Sequence, residues 1–205
     1  MLIYIHGFNS SPASAKARLV KSRLEALGRG AELIAPAVPP SPAQAAALLD
    51  ALAARHHGAA LIGSSLGGYY ATWLAEKHGM KAVLLNPAVR PYELLAPLVG
   101  LQKRFHTGEE YVFTTGHVAE LRALEVERIT PTRYLLVVTT GDEVLDYRWA
   151  VERYRGCRQI VIEGGDHGLS DFTSYLDTVL EFCGSARTGE RSTGDRGQTS
   201  LSRRS

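Results

Sequence analysis

Three short segments carry side chains that could carry out acyl transfer together. Gly63-Ser64-Ser65-Leu66-Gly67 has the form G-x-S-x-G. A serine hydroxyl is a weak nucleophile until a neighbouring base removes its proton. Gly164-Gly165-Asp166-His167-Gly168 supplies an imidazole on a glycine-flanked loop, and Thr140-Gly141-Asp142-Glu143 supplies a carboxylate to orient it. The order Ser65, Asp142, His167 is the one expected when the serine stands in a strand-to-helix turn. Asp142 comes first after the turn glycine, with Glu143 as the adjacent alternative. Asp146 reads instead as a helix N-cap. A fourth element is His6-Gly7-Phe8, whose Phe8 N–H could join that of Leu66 in holding the charged oxygen of a tetrahedral intermediate. His6 itself reads as a brace for that loop, and Asn9 and Ser10 as residues of its entrance.

The rival hydroxyl, Ser64, is flanked two residues away by Ile62 and Leu66, which leave no room for a tight turn. The other histidines fit the role of base less well. His56, His57 and His78 fall at helix C-termini, where the helix dipole explains them, and His106 and His117 fall in an irregular stretch.

These segments need a frame, and the pattern around them supplies one. Apolar runs at Leu2–Ile5, Leu33–Ile34, Ala60–Ile62, Val83–Leu85, Tyr134–Thr139 and Ile160–Ile162 alternate with amphipathic stretches. Several runs are unbroken, as expected for strands covered on both faces. Ser11-Pro12 and Ser41-Pro42 each read as an N-cap followed by a first helical proline. A third helix should run from about Leu66 to His78 and stop at Gly79. A fourth begins near Asp146, and a fifth covers roughly Leu169 to Phe182. Strand and helix in alternation imply a parallel sheet of about six strands with helices on both faces. Right-handed crossovers then bring every strand-to-helix turn to one edge. Residues 87–132 show no clear strand and are interrupted by Pro91, Pro97, Gly100, Gly108 and Gly116, so a small helical cap inserted over the site is the expectation. Within it Arg90, Tyr92, Phe105 and Tyr111 are candidates to shape an acyl pocket or meet a phosphate-bearing leaving group, although packing within the cap would also account for them.

Composition excludes several alternatives. The formal charge of +2 includes +3 from residues 184–205, where five arginines face Glu190 and Asp195, so the preceding residues carry about −1. That body is not a basic nucleic-acid-binding domain. The arginine-rich tail, with almost no apolar residues, reads as disordered. No apolar run approaches the roughly 20 residues of a membrane span. Cys157 and Cys183 form neither a disulfide framework nor a metal site and read as idle thiols. A reducing, cytoplasmic setting follows as the default.

The stretches IYIHGFNSSPASAKA, GSSLGGYYATWLA, NPAVRP, TGDEVLDYR and IEGGDH resemble the YqiA-type esterases of the α/β-hydrolase superfamily, from about Leu2 to Phe182. The resemblance implies a compact α/β-hydrolase domain over residues 1–183, with Ser65, Asp142 and His167 as triad and Phe8 and Leu66 as oxyanion donors. It implies a small-molecule ester or thioester with a fairly short acyl group, acyl-CoA included, and no metal or organic cofactor. The arginine-rich tail departs from the family pattern. Two other readings stay open. One is a non-catalytic ligand-binding protein of this fold; the other is an acyltransferase or peptidase with the same triad. The sequence is compatible with a monomer.

Overall fold

A computed structural model describes residues 1–184. Alternation of backbone-paired and amphipathic segments gives the order β1 (Leu2–Ile5), α1 (Ala15–Ala26), β2 (Leu33–Ile34), α2 (Pro42–Arg55), β3 (Ala60–Ser64), α3 (Leu66–His78) and β4 (Ala82–Leu85). There follow α4 (Pro91–Leu95), β5 (Gly100–Lys103), β6 (Glu110–Phe113), α5 (Thr115–Arg122), β7 (Tyr134–Thr139), α6 (Tyr147–Arg153), β8 (Arg158–Ile162) and α7 (Leu176–Phe182). Six strands make a fully parallel sheet in the order β2-β1-β3-β4-β7-β8. This is the α/β-hydrolase arrangement that the sequence pattern implies.

The unbroken apolar runs have a simple cause. Along β1 and β7, Ile3, Ile5, Leu136 and Val138 pack on one face with Leu49 of α2, Leu74 of α3 and Tyr154 beside α6. Leu2, Tyr4, Leu135 and Val137 pack on the other with Val20 and Leu24 of α1 and Val179 and Leu180 of α7. Each side chain of Leu or Val size removed from water in this way contributes about 1.5–3 kcal/mol before entropy is charged against it. Two buried faces therefore hold the strand ends, and the loops after them, in fixed places.

Three expectations are corrected. The first helix is capped by Ser14, whose Oγ accepts from the Ala17 N–H at 3.4 Å, and not by Ser11. Ser11 and Pro12 instead build a turn, with the Ser11 hydroxyl accepting from Ala13 N–H at 3.1 Å. The last helix starts later than Leu169: Phe172–Tyr175 form a 3₁₀ turn and the α-helix begins at Leu176. Local side chains compete there, since Asp166 accepts from Ser170 N–H and Asp171 from the Ser174 hydroxyl. The insertion is not purely helical. Beside α4 and α5 it holds an antiparallel hairpin pairing Leu101 with Val112 and Lys103 with Glu110. Its strands are four residues long with outward apolar positions, too short for a readable period. The arginine-rich tail beyond Gly184 lies outside the described residues.

Candidate active site

The nucleophile elbow is fixed by the backbone. β3 ends at Ser64 and α3 begins at Leu66, leaving Ser65 between them at φ +54° and ψ −121°. A non-glycine residue in that region stores about 1–3 kcal/mol of strain, which persists only under external restraint. The restraint is visible: Ser65 N–H donates to Leu85 O at 3.0 Å, and Ser65 O accepts from Gly68 N–H at 2.9 Å and Ala88 N–H at 3.1 Å. The glycines answer to close approach. A Cβ on Gly63 would lie 2.4 Å from Gly67 O, and one on Gly67 would lie 2.0 Å from Ile5 O. Ser64, the rival hydroxyl, is buried at the strand end.

Asp142 and His167 come to the elbow from β7 and β8. Their loops are joined by the backbone, Thr140 N–H donating to Ile162 O and Gly141 N–H to Gly164 O, each at 2.8 Å. His167 Nε2 stands 3.1 Å from Ser65 Oγ, while Nδ1 lies 2.8 Å and 3.0 Å from the two Asp142 carboxylate oxygens. With the proton on Nδ1, Nε2 is free to accept from the serine hydroxyl. The Asp142 side chain is 2% exposed. Burial works to raise its pKa, but the hydrogen bond from His167 and those from Leu145 and Val144 N–H outweigh it, holding the group below its ordinary value. It is therefore a carboxylate. Glu143 does not compete for the ring; its Oε2 accepts from the His167 backbone N–H at 2.9 Å.

The loop after β1 closes the site. A Cβ on Gly7 would approach Ser65 Cβ to 3.1 Å, so the Gly7-Phe8 backbone runs directly against the elbow. Leu66 is the first residue of α3, whose N–H has no partner within the helix. His6 braces this loop: its Nδ1–H donates to Gly7 O at 3.0 Å and its Nε2 accepts from Val38 N–H at 3.1 Å. Burial lowers its pKa and keeps it neutral, as both bonds require. Phe8 meets Phe113 edge-on, with ring centroids 5.3 Å apart.

Sequence reasoning passed over two residues. Asn86, 3% exposed and at φ +42°, directs its amide into the space between β7 and the imidazole loop. Nδ2 donates to Thr139 Oγ1 (3.2 Å), Asp166 O (3.1 Å) and His167 O (3.2 Å), and Oδ1 accepts from Thr139 N–H at 3.0 Å. Lys16 of α1 donates from Nζ to Gly168 O at 2.6 Å. An asparagine just past a buried strand was the available signal for the first; the second carried none.

Of the four candidate pocket residues, Tyr111 comes to the site: it donates from its hydroxyl to Asn9 Oδ1 at 2.6 Å and shares a small hollow with Phe8 and Leu66. Arg90 lines a separate cleft. Tyr92 and Phe105 line neither. Tyr92 is buried, donates to Glu125 Oε1 at 2.7 Å and lies under Arg122, because α4 packs that face inward. Phe105 is 74% exposed, since only its backbone is held, by Asn9 O at 2.8 Å. Among the described residues no group of histidine, cysteine and acidic side chains is placed to hold a metal ion, and no helix is long and apolar enough to cross a membrane. Burial pushes the Cys157 and Cys183 thiols up to about 11 and about 12.

The model of a family described as "Uncharacterised protein family (UPF0227)" matches residues 1–184. Among solved structures, Est1E from Butyrivibrio proteoclasticus superposes with a TM-score of 0.67 at 17% identity, covering 88% of this chain and 85% of that one. Mouse alpha/beta hydrolase domain-containing protein 10 gives 0.66 at 18%, covering 88% and 89%. A putative hydrolase of the alpha/beta superfamily from Xanthomonas campestris pv. campestris gives 0.59 at 16%, covering 89% and 95%. At these identities the likeness establishes the α/β-hydrolase fold.

Proposed function

The chain belongs to the UPF0227 family, and from that premise we propose that it is a serine hydrolase of carboxylic esters or thioesters. Ser65 is the nucleophile, His167 the base and then the acid, and Asp142 the group that orients and stabilises the imidazolium. Phe8 and Leu66 N–H groups stabilise the oxyanion, a contribution that for one such donor is typically about 3–4 kcal/mol. One observation carries the reading: a single imidazole bridges Ser65 Oγ at 3.1 Å and a buried, charged carboxylate at 2.8 Å. The strained φ of Ser65 supports it, because strain of this kind gathers at working sites.

The reaction follows from the positions. Ser65 Oγ adds to the carbonyl carbon while its proton moves to His167 Nε2. The bond to the leaving oxygen or sulfur breaks as Nε2 returns that proton to it. Water then attacks the acyl-enzyme, passing one proton to Nε2, and Ser65 recovers it. The test is turnover of p-nitrophenyl esters and of acyl thioesters by the native chain and by Ser65→Ala. Hydrolysis that falls by at least a thousandfold in the variant is expected. No turnover by a folded native chain on any member of either series would favour a ligand-binding role, and transfer to added alcohols or amines in preference to water would make it an acyltransferase.

A further inference from the structure

Resting on that reading, we propose that the substrate straddles the first turns of α3, with a small acyl group on the β1 side and a bulky, uncharged alcohol limb on the β7 side. Two hollows flank this helix terminus. A cavity of about 30 Å³ is lined by the oxyanion residues Phe8 and Leu66 together with Tyr70, Tyr111, Phe113 and Leu121. A cleft of about 790 Å³ runs along α3 past Tyr69 and Thr72 to Tyr154, with Val89 and Trp149 on its walls. At 3.6 residues per turn, Leu66 and Tyr70 share one flank of the helix while Tyr69 and Thr72 turn to the next. Ser65 stands at the helix start between them. The sheet order agrees, since the oxyanion loop follows β1 on one side of β3, and Val89 and Trp149 follow β4 and β7 on the other.

Proton transfer decides which limb goes where. After Ser65 Oγ has bonded to the carbonyl carbon, the carbon–oxygen bond to the alcohol breaks and His167 Nε2 gives its proton to the departing oxygen. The alcohol therefore leaves on the imidazole side. Asp142 holds that imidazole, and the loop after Asp142 passes through Asp146 and Arg148, which also border the large cleft. The acyl group, on the same carbon, faces the opposite way, toward the cavity beside Phe8 and Leu66. A space of 30 Å³ holds about two waters. Acetyl or propionyl fits it, and a longer chain must displace Tyr111.

The cleft walls state the chemistry of the larger limb. The Arg90 guanidinium lies over the half-exposed Trp149 ring, 5.9 Å from its centroid. Arg148 is bound to Asp146, and Arg153 donates to the carbonyls of Val126 and Glu127. All three arginines are engaged, and Glu125, Glu127 and Glu152 border the same cleft. A polyanionic leaving group finds no net positive field there, while the aromatic and aliphatic walls suit an uncharged aryl or alkyl alcohol.

The test is a matrix of acetate, butyrate and octanoate esters of ethanol and of 3-phenylpropanol, alcohols of similar acidity. Acetyl-CoA is compared with a small neutral acetyl thioester. The native chain should prefer acetate to octanoate and phenylpropyl to ethyl by at least tenfold each in kcat/KM, and should gain nothing from the CoA moiety. Tyr111→Ala should raise the octanoate-to-acetate ratio at least tenfold and leave the alcohol ratio in place. Val89→Trp should lower the phenylpropyl-to-ethyl ratio and leave the acyl ratio in place, with thermal melts confirming that both variants fold. Preference for octanoate in the native chain, or both variants moving the same ratio, overturns the assignment, and the native matrix decides alone if Tyr111→Ala does not fold. A fluorophosphonate that labels Ser65 while the preferences come out reversed sinks only the limb assignment; absence of labelling sinks the hydrolase reading beneath it.

Discussion

Ser65 and His167 meet across 3.1 Å, yet the two are held by different means. The elbow is set by main chain against main chain: Gly63 on Gly67, Gly67 on Ile5, Gly7 on Ser65. The imidazole loop is set chiefly by side chains from distant elements: Asn86 after β4, Glu143 after β7 and Lys16 on α1. Backbone contact at that range admits no intermediate, because an added methyl collides with atoms that cannot move. Side-chain hydrogen bonds can be removed one at a time. Substitution should therefore be all-or-none on the serine side and graded on the histidine side.

The sharpest way to break this comparison is Gly67→Ala. Its Cβ would sit 2.0 Å from Ile5 O, so a cost of at least about 3 kcal/mol, the upper end of ordinary overpacking, is expected. That lowers Tm by about 6–12 °C for a domain of this size, or prevents folding, and abolishes turnover. A melt within about 2 °C of the native chain would show the elbow to be softer than its contacts imply. On the other side, Asp142→Asn keeps the shape but reverses the donor facing Nδ1. It should lower kcat by about 10⁴ with Tm little changed.

Asn86→Ala lies between. It removes the donor that fixes the His167 carbonyl, and a base displaced by less than about 1 Å loses up to about 100-fold in kcat. KM should move little, and the same change made in a His167→Ala background should cost nothing further. An equal loss in both backgrounds would mean that Asn86 acts on something other than the imidazole. Glu143→Gln keeps an acceptor for the His167 N–H and should cost only a few-fold.

The smallest effect is in pH. His6 has a lowered pKa because burial disfavours its charged form. Below about 6.5 the unfolded chain takes up a proton there that the folded chain refuses, so stability falls as pH drops from that point toward the folded value. The contribution of Asp142, whose folded pKa is depressed, is retained until well below the ordinary carboxylate range. Tm should thus decline between pH 7 and pH 5, and decline less in His6→Gln.

The same division explains what the sequence disclosed. The elbow, the strand runs and the brace at His6 were legible because each depends on neighbours in the chain: a glycine two residues away, an apolar run, a loop following a strand. The acid was legible from the turn glycine before it, but choosing Asp142 over Glu143 needed the fold, since both carboxylates touch His167, one at the ring and one at the main chain. Asn86 stands 53 and 81 residues from its partners Thr139 and His167, and no local pattern announces a link between two parallel strands. The hairpin of the insertion was hidden for another reason. Leu101 and Val112 pair on its exposed face, against the usual rule that apolar positions mark the core.

The central claim is that the His167 imidazole, held by Asp142, activates Ser65. The direct measurement is the rate at which a fluorophosphonate modifies the native chain, His167→Ala and Asp142→Asn, with the modified peptide identified by mass spectrometry. A single adduct on Ser65, formed at least a hundredfold more slowly in both variants, is the expected result. Modification at another residue, or an unchanged rate on Ser65 once the imidazole is gone, would contradict the account.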